Sequence, residues 1–256
     1  MRYLILAITM LLYPAISTQA QDQLSISIGH RGVNIGFVMS TYPRLVRIPG
    51  YPVYYDPRVD SNYFFYDGLY WVFQNDNWYS SSWYNGPWDL IEPAFVPLFV
   101  LRVPVRYYRR PPSYFRGWRS DAAPRWGEHW GRDWERQRSG WDTWNRRSVP
   151  GAAPLPTYQR NYTGSRYPRE LNQQHSIESR SYRYQPRETV SRKIFEQRRH
   201  AAESRNRQQQ QQNVRQQPQR SRPAQKGRGA DNKGAKGRSD RDKGEKDKNK
   251  GGGGNR

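Results

Sequence analysis

The chain carries four histidines, His30, His129, His175 and His200, and no cysteine. Thiolate metal sites, disulfides and cysteine nucleophiles are therefore excluded. His129 and Asp133 stand four residues apart, so on a helix they share a face and offer two ligands to a divalent cation. Two ligands do not close a site, and a solvated polar face is the simpler account. Glu128 with Asp133 has the residue types of a glycosidase carboxylate pair. In a stretch this rich in arginine, ordinary ion pairing explains the two acids as well. No glycine-rich phosphate loop joins a strand to a helix, and no serine elbow is present. The expectation is a protein with no catalytic residue, no metal and no cofactor, and a glycoside hydrolase is the most distant reading.

Aromatic residues offer a different chemistry. Trp71, Trp78, Trp83 and Trp88 are flat faces beside hydrogen-bonding side chains, the requirement for stacking on sugar rings or bases. The competing account makes the same four rings the core of a small sheet. A sheet covered on one face would leave some of them outward, so both accounts stand at this level.

The third chemistry is charge. The formal net charge is +21. Such a chain is drawn to polyanions: anionic lipid head groups, lipopolysaccharide phosphates, acidic glycans or extracellular nucleic acid. One segment couples charge to aromatics. At about 100° per residue, Trp126, Trp130, Trp134, Trp141 and Trp144 fall within an arc of roughly 80°. Arg125, Arg132, Arg136 and Arg138 lie off that stripe. This spacing predicts an amphipathic helix over about Pro124–Trp144, in spite of Gly127, Gly131 and Gly140. Its indole face would seek either the rest of the fold or an anionic membrane interface.

The elements that must position these groups are legible in the turn residues. Asp67-Gly68, Asn75-Asp76-Asn77 and Asn85-Gly86-Pro87 cut aromatic and β-branched runs, the signature of hairpins. Tyr63–Tyr66 should pair with Leu69–Val72, the chain should reverse into Trp78–Ser81, and Trp88–Ile91 should follow. Upstream, Leu24–Ile28 and Val33–Met39 are expected to form a first hairpin, with short edge pieces at Val46–Ile48 and Val53–Tyr55 among prolines. Downstream, Pro97 and Pro104 bracket a short helix or an extended buried strand.

The ends have their own character. Arg2, the apolar run Leu4–Leu12 and the small residues at Thr18 and Ala20 read as a cleaved secretory signal, too short to span a bilayer. Cleavage would remove one cation and no acid. From Asn145 the hydrophobic pattern is lost, although Glu188–Gln217 lacks Gly and Pro and suits a helix. Lys226–Arg256 cannot bury enough apolar surface to offset chain entropy.

The expected fold is therefore mainly β, a small aromatic-rich antiparallel meander followed by a Trp/Arg amphipathic helix and a long disordered basic tail. The expected divisions are a signal peptide (1–20), a small β-domain (21–110), a Trp/Arg helical segment (111–144) and a low-complexity tail (145–256).

Tyr66-Asp67-Gly68-Leu69-Tyr70-Trp71, with Asn77-Trp78-Tyr79 and Trp83-Tyr84-Asn85-Gly86-Pro87-Trp88, resembles a module of uncharacterised exported bacterial proteins. In that module a Tyr/Trp-rich hairpin is followed by an Asn-Gly-Pro-Trp turn and a Pro-rich step. The likeness covers about Tyr54–Trp144. It implies a periplasmic or secreted bacterial envelope protein and no defined activity. The function expected is non-enzymatic attachment to anionic envelope material through the basic, aromatic regions. The alternative is a carbohydrate-binding module using Trp71, Trp78, Trp83 and Trp88.

Overall fold

A computed structural model describes residues 28–216. The signal peptide expected at 1–20, the first part of the expected Leu24–Ile28 strand and the Lys226–Arg256 segment lie outside the described residues.

Asp67-Gly68 and Asn75-Asp76 turn the chain as their residue types dictate. Asp67, Gly68, Asn75 and Asp76 all take positive φ, at 51°, 86°, 50° and 61°. Two successive left-handed residues match the twist of the flanking strands. They set the register between β4 (Asn62–Tyr66), β5 (Leu69–Gln74) and β6 (Asn77–Ser81), with Tyr66 opposite Leu69 and Gln74 opposite Asn77. The third break, Asn85-Gly86-Pro87, contains a cis Gly86-Pro87 bond and leads into β7 (Trp88–Ile91).

β2 (Val46–Arg47) and β3 (Tyr54–Tyr55) extend the meander beyond β4. β1 (Ile28–Val33) does not pair with the residues after it, as the first-hairpin expectation had it. It adds antiparallel to β7, so the seven-stranded order is β1-β7-β6-β5-β4-β3-β2. Residues 34–45 must then cross the sheet from one edge to the other. Ile35, Phe37, Met39, Tyr42 and Leu45 pack on one face as they cross.

Strict alternation sorts the meander between two cores. Phe64, Tyr66, Leu69, Trp71, Phe73, Trp78 and Ile91 point to one face. Tyr63, Phe65, Tyr70, Val72 and Trp88 point to the other. Both faces are covered, so every residue of β4 is buried. Near-continuous apolar runs are what a doubly covered strand requires.

The first face is capped by residues 93–144. Pro97 and the residues after it begin α1 (Leu98–Leu101), the helical one of the two expected forms. α2 (Trp126–Gln137) is shorter than the expected Pro124–Trp144 and breaks at Gly131, which sits at φ 83° and ψ 176°. Only glycine adopts that backbone readily. The break folds the second half of α2 back: a Cβ on Gly127 would lie 2.7 Å from an Oε of Glu135. Eight residues of straight helix would separate them by about 12 Å.

The expected tail is corrected on both faces. Residues 145–216 are not a disordered extension: Ala153, Leu155, Tyr167 and Tyr184 cover the second face, α3 (Leu171–Ser181) follows, and α4 (Thr189–Gln216) joins the first core through Val190, Ile194 and Phe195. Gln159 is fully buried and joins three places in the meander. It accepts from the Tyr70 hydroxyl and the Tyr84 N–H and donates to Ser82 O. Arg198 of α4 forms a buried ion pair with Asp89 of β7. A division at 144 would cut through one shared core.

Candidate functional site

The meander tryptophans are structural. Trp71, Trp78 and Trp83 are fully buried and Trp88 is 2% exposed. Trp78 meets Trp126 edge-on at 6.0 Å, and Trp88 packs on Phe37 and Tyr63. Trp83 is boxed by Tyr158, Tyr162 and Tyr167, each edge-on at 5.6–5.7 Å. None of the four offers a face to a sugar, so the expected stacking platform is not formed. The tail supplies the tyrosines that close over Trp83, and that covering was not foreseen.

The Trp/Arg stripe is also turned inward. Trp126, Trp134 and Trp141 are buried, and Trp130 and Trp144 are half-buried against the same core. Trp126 stacks on Trp130 at 4.4 Å and donates its indole N–H to Leu101 O. Trp130, Trp134 and Trp141 continue the ladder at 4.9 and 5.7 Å. Of the expected interface tryptophans, therefore, three are unavailable to a surface. Trp141 and Trp144 also lie beyond the helix end, past the left-handed Gly140.

The arginines divide. Arg138 is spent on the fold, donating to Ala94 O and Val96 O. Arg125 pairs with Glu128 and Arg136 with Asp133, both three residues apart on exposed surface. Arg132 is exposed. These pairings claim both acids considered for a catalytic carboxylate pair. His129 does not team with Asp133. Its Nε2 lies 2.7 Å from Asp76 in the β5–β6 turn, and its ring stacks on Tyr114 at 3.9 Å. That pins α2 to the meander. Among the described residues no group of three or more His, Asp or Glu is placed to hold a metal ion.

Two features remain that face solvent with organised chemistry. The first is an open cleft of about 620 Å³ between the Tyr51 turn, the loop before α2, and Trp141–Arg146. Arg102, just after α1, forms part of its wall. Arg102 is 6% exposed. Its Nε donates to Trp141 O and one terminal nitrogen donates to Thr143 O at 3.2 Å. Its guanidinium also lies over Phe99 and Trp144 at 5.4 and 5.6 Å. Burial pulls its pKa down, and Glu188 and Asp142 at longer range hold it back. No carboxylate among the described residues pairs with it directly. Of the candidate site residues marked by the sequence, Trp141, Trp144, Arg125 and Glu128 line this cleft. Arg102 had a signal, a lone charge inside the apolar run Phe95–Val105, but its packing depends on Trp141, which is 39 residues away.

The second feature is the C-terminal part of α4. The helix is held to the domain through Val190, Ile194, Arg198 and Ala202. Beyond Glu203 every side chain to Arg215 is exposed except the half-buried Asn206. Asn172 holds Gln209 at 2.8 Å, and otherwise this arm stands in water. It carries Arg205, Arg207 and Arg215. From Ser204 to Ala230 the chain has seven cations and no acid, Arg220, Arg222, Lys226 and Arg228 being the others. No helix among the described residues is long and apolar enough to cross a membrane.

Comparison with protein-family models, with curated proteins and with solved structures finds no match.

Proposed function

We propose that this is a non-enzymatic, exported envelope protein whose folded domain carries a basic arm that attaches to anionic polymers. The observation behind the reading is the arm: a helix whose side chains from Ser204 to Arg215 are exposed apart from the half-buried Asn206, with arginines and no carboxylate. A polar helix gains nothing by projecting into water for packing. A row of guanidinium groups without counter-charges gains affinity for phosphates and carboxylates by releasing their condensed ions. Export rests on the charged, apolar and small-residue pattern of residues 1–20 and on the resemblance of Tyr54–Trp144 to an exported module.

The burial of Trp71, Trp78, Trp83 and Trp88 removes the support for a carbohydrate module built on those rings. Aromatic side chains hold the fold, and charge is left to do the attaching.

Full-length protein should be retained on lipopolysaccharide, sulfated or uronate-rich polysaccharide and DNA at low salt, and released as salt rises. Retention that is indifferent to salt, or no retention on any of them, would overturn the reading.

A further inference from the structure

The geometry points to the Arg102 cleft as a binding site for an acidic sugar, a pyranose unit bearing a carboxylate or phosphate. This site is separate from the α4 arm and does not depend on it.

The anion follows from Arg102. It is nine-tenths buried, yet it has no directly paired carboxylate. Two of its five N–H groups are used by Trp141 O and Thr143 O. Those two bonds fix the plane of the fork and leave the remaining donors without a protein acceptor. A planar guanidinium held in one orientation suits an oxyanion, which can accept two parallel bonds.

The ring follows from Trp144. It is half-buried, tilted against Tyr51 at 5.2 Å and held edge-on by Phe99 at 5.3 Å. Arg146 lies over it at 5.9 Å and is itself exposed, so it can swing aside. The cleft volume suits one or two sugar rings.

The hydroxyls follow from the acids. Glu135 and Asp142 line the cleft and take part in no ion pair with an arginine or lysine among the described residues. Asp121 and Glu128 are paired with Arg119 and Arg125. Carboxylates repel a bare anion but accept hydrogen bonds from hydroxyl groups. A cleft that sets an unpaired cation deep and carboxylates around it matches a ligand with one oxyanion and several hydroxyls. It matches inorganic phosphate or a lipid surface poorly.

Calorimetry with full-length protein at constant ionic strength tests this, using glucuronate, glucose 6-phosphate and glucose. At least one of the two acids should bind saturably and at least tenfold more tightly than glucose; which one does distinguishes carboxylate from phosphate. Trp144→Leu and Arg102→Lys should each weaken binding tenfold or more. Lysine keeps the charge but not the fork, and Trp144→Leu covers the case in which the Arg102 variant fails to fold. The double variant Glu135→Gln with Asp142→Asn is decisive. Hydroxyl recognition predicts weaker binding, whereas plain electrostatics predicts tighter binding because two negative charges are gone. Tightening in that variant, equal affinity for glucose, or no saturable binding of any of the three sugars would overturn the proposal. Replacing Arg205, Arg207 and Arg215 by Gln should leave sugar binding unchanged; loss there would place the binding in the arm and refute the cleft.

Discussion

Asp67, in the β4–β5 turn, accepts backbone N–H bonds from Arg187 and Glu188 at 2.9–3.0 Å across about 120 residues of sequence. The same carboxylate accepts from the Tyr184 hydroxyl at 2.7 Å. Tyr66 beside it donates to Glu188 at 2.8 Å, and Glu188 in turn accepts from Leu98 N. The Tyr-Asp-Gly turn is thus a clamp. It seizes the chain just before α4 and ties it to α1. Gly68 belongs to the device, because a Cβ there would press on the Tyr184 ring at 3.3 Å.

Removing that carboxylate should loosen the C-terminal helices first. Asp67→Ala strands two backbone donors and a hydroxyl, and the expected loss is roughly 2–4 kcal/mol in urea unfolding. Asp67→Asn keeps one acceptor oxygen and tolerates positive φ, so its loss should be about half as large. Trypsin should reach Arg183 and Arg187 sooner in Asp67→Ala than in the parent. Equal cleavage rates would mean that the clamp does not hold this segment.

The indole ladder should behave as core. Each buried Trp→Ala change costs about 3–5 kcal/mol in typical cases, close to the whole stability of an ordinary domain. Changing Trp130, Trp134 and Trp141 together to Ala should therefore abolish cooperative unfolding of the sheet as well as of α2. A triple variant that kept the parent melting temperature would return the stripe to the role of a surface.

Glu178 on α3 should make stability fall with rising pH. Burial pushes its carboxyl up to about 7, against the pull of Arg198 and a hydrogen bond from Ser82. The unfolded chain titrates near 4.5, so between 4.5 and 7 the folded state holds the extra proton. Stability from this group is full below 4.5, declines through that window and is flat above it. The total is at most about 3 kcal/mol. His175 works the other way: burial lowers its pKa, so its contribution is lost as pH falls below about 6.5. Subtracting the profile of Glu178→Gln from that of the parent isolates the carboxyl. A difference that does not change between pH 4.5 and 7 would show that Glu178 is not the group responsible.

The central hairpins were legible because local chemistry decides them. Asp67-Gly68 and Asn75-Asp76 can hardly do anything but turn, and the β4–β5 register follows. The expectation of one open face was the error there: the apolar runs Tyr63–Tyr66 and Leu69–Phe73 are those of strands covered on both faces, since a half-solvated strand would alternate. What covers them was not legible. The tail contributes isolated contacts without periodicity: Gln159 into a buried gap, three tyrosines around Trp83, Arg198 onto Asp89. Each looks like an ordinary polar or aromatic residue in a low-hydrophobicity stretch, and its partner lies 75–109 residues away. The stripe beyond Gly140 misled for the opposite reason. Its helical period was real on paper, but glycines at 131 and 140 take left-handed φ and end the helix before Trp141.

The arm of α4 carries the functional proposal, and its arginines should be separable from the fold. Arg205, Arg207 and Arg215 are exposed and lie beyond Ala202, the last buried residue of the helix. Replacing all three by Gln leaves helix propensity nearly unchanged, so melting temperature and circular dichroism should stay at parent values. Affinity for duplex DNA, used as a polyanion of known charge spacing, should fall. The plot of log affinity against log salt should also flatten, by roughly 0.9 for each arginine that contacts a phosphate. A loss of affinity with the slope unchanged would point to indirect damage. An unchanged affinity and slope would place attachment elsewhere in the chain and remove the arm from the proposed function. Lysine at the same three positions should restore most of the affinity, because the contact is to charge rather than to a fixed fork.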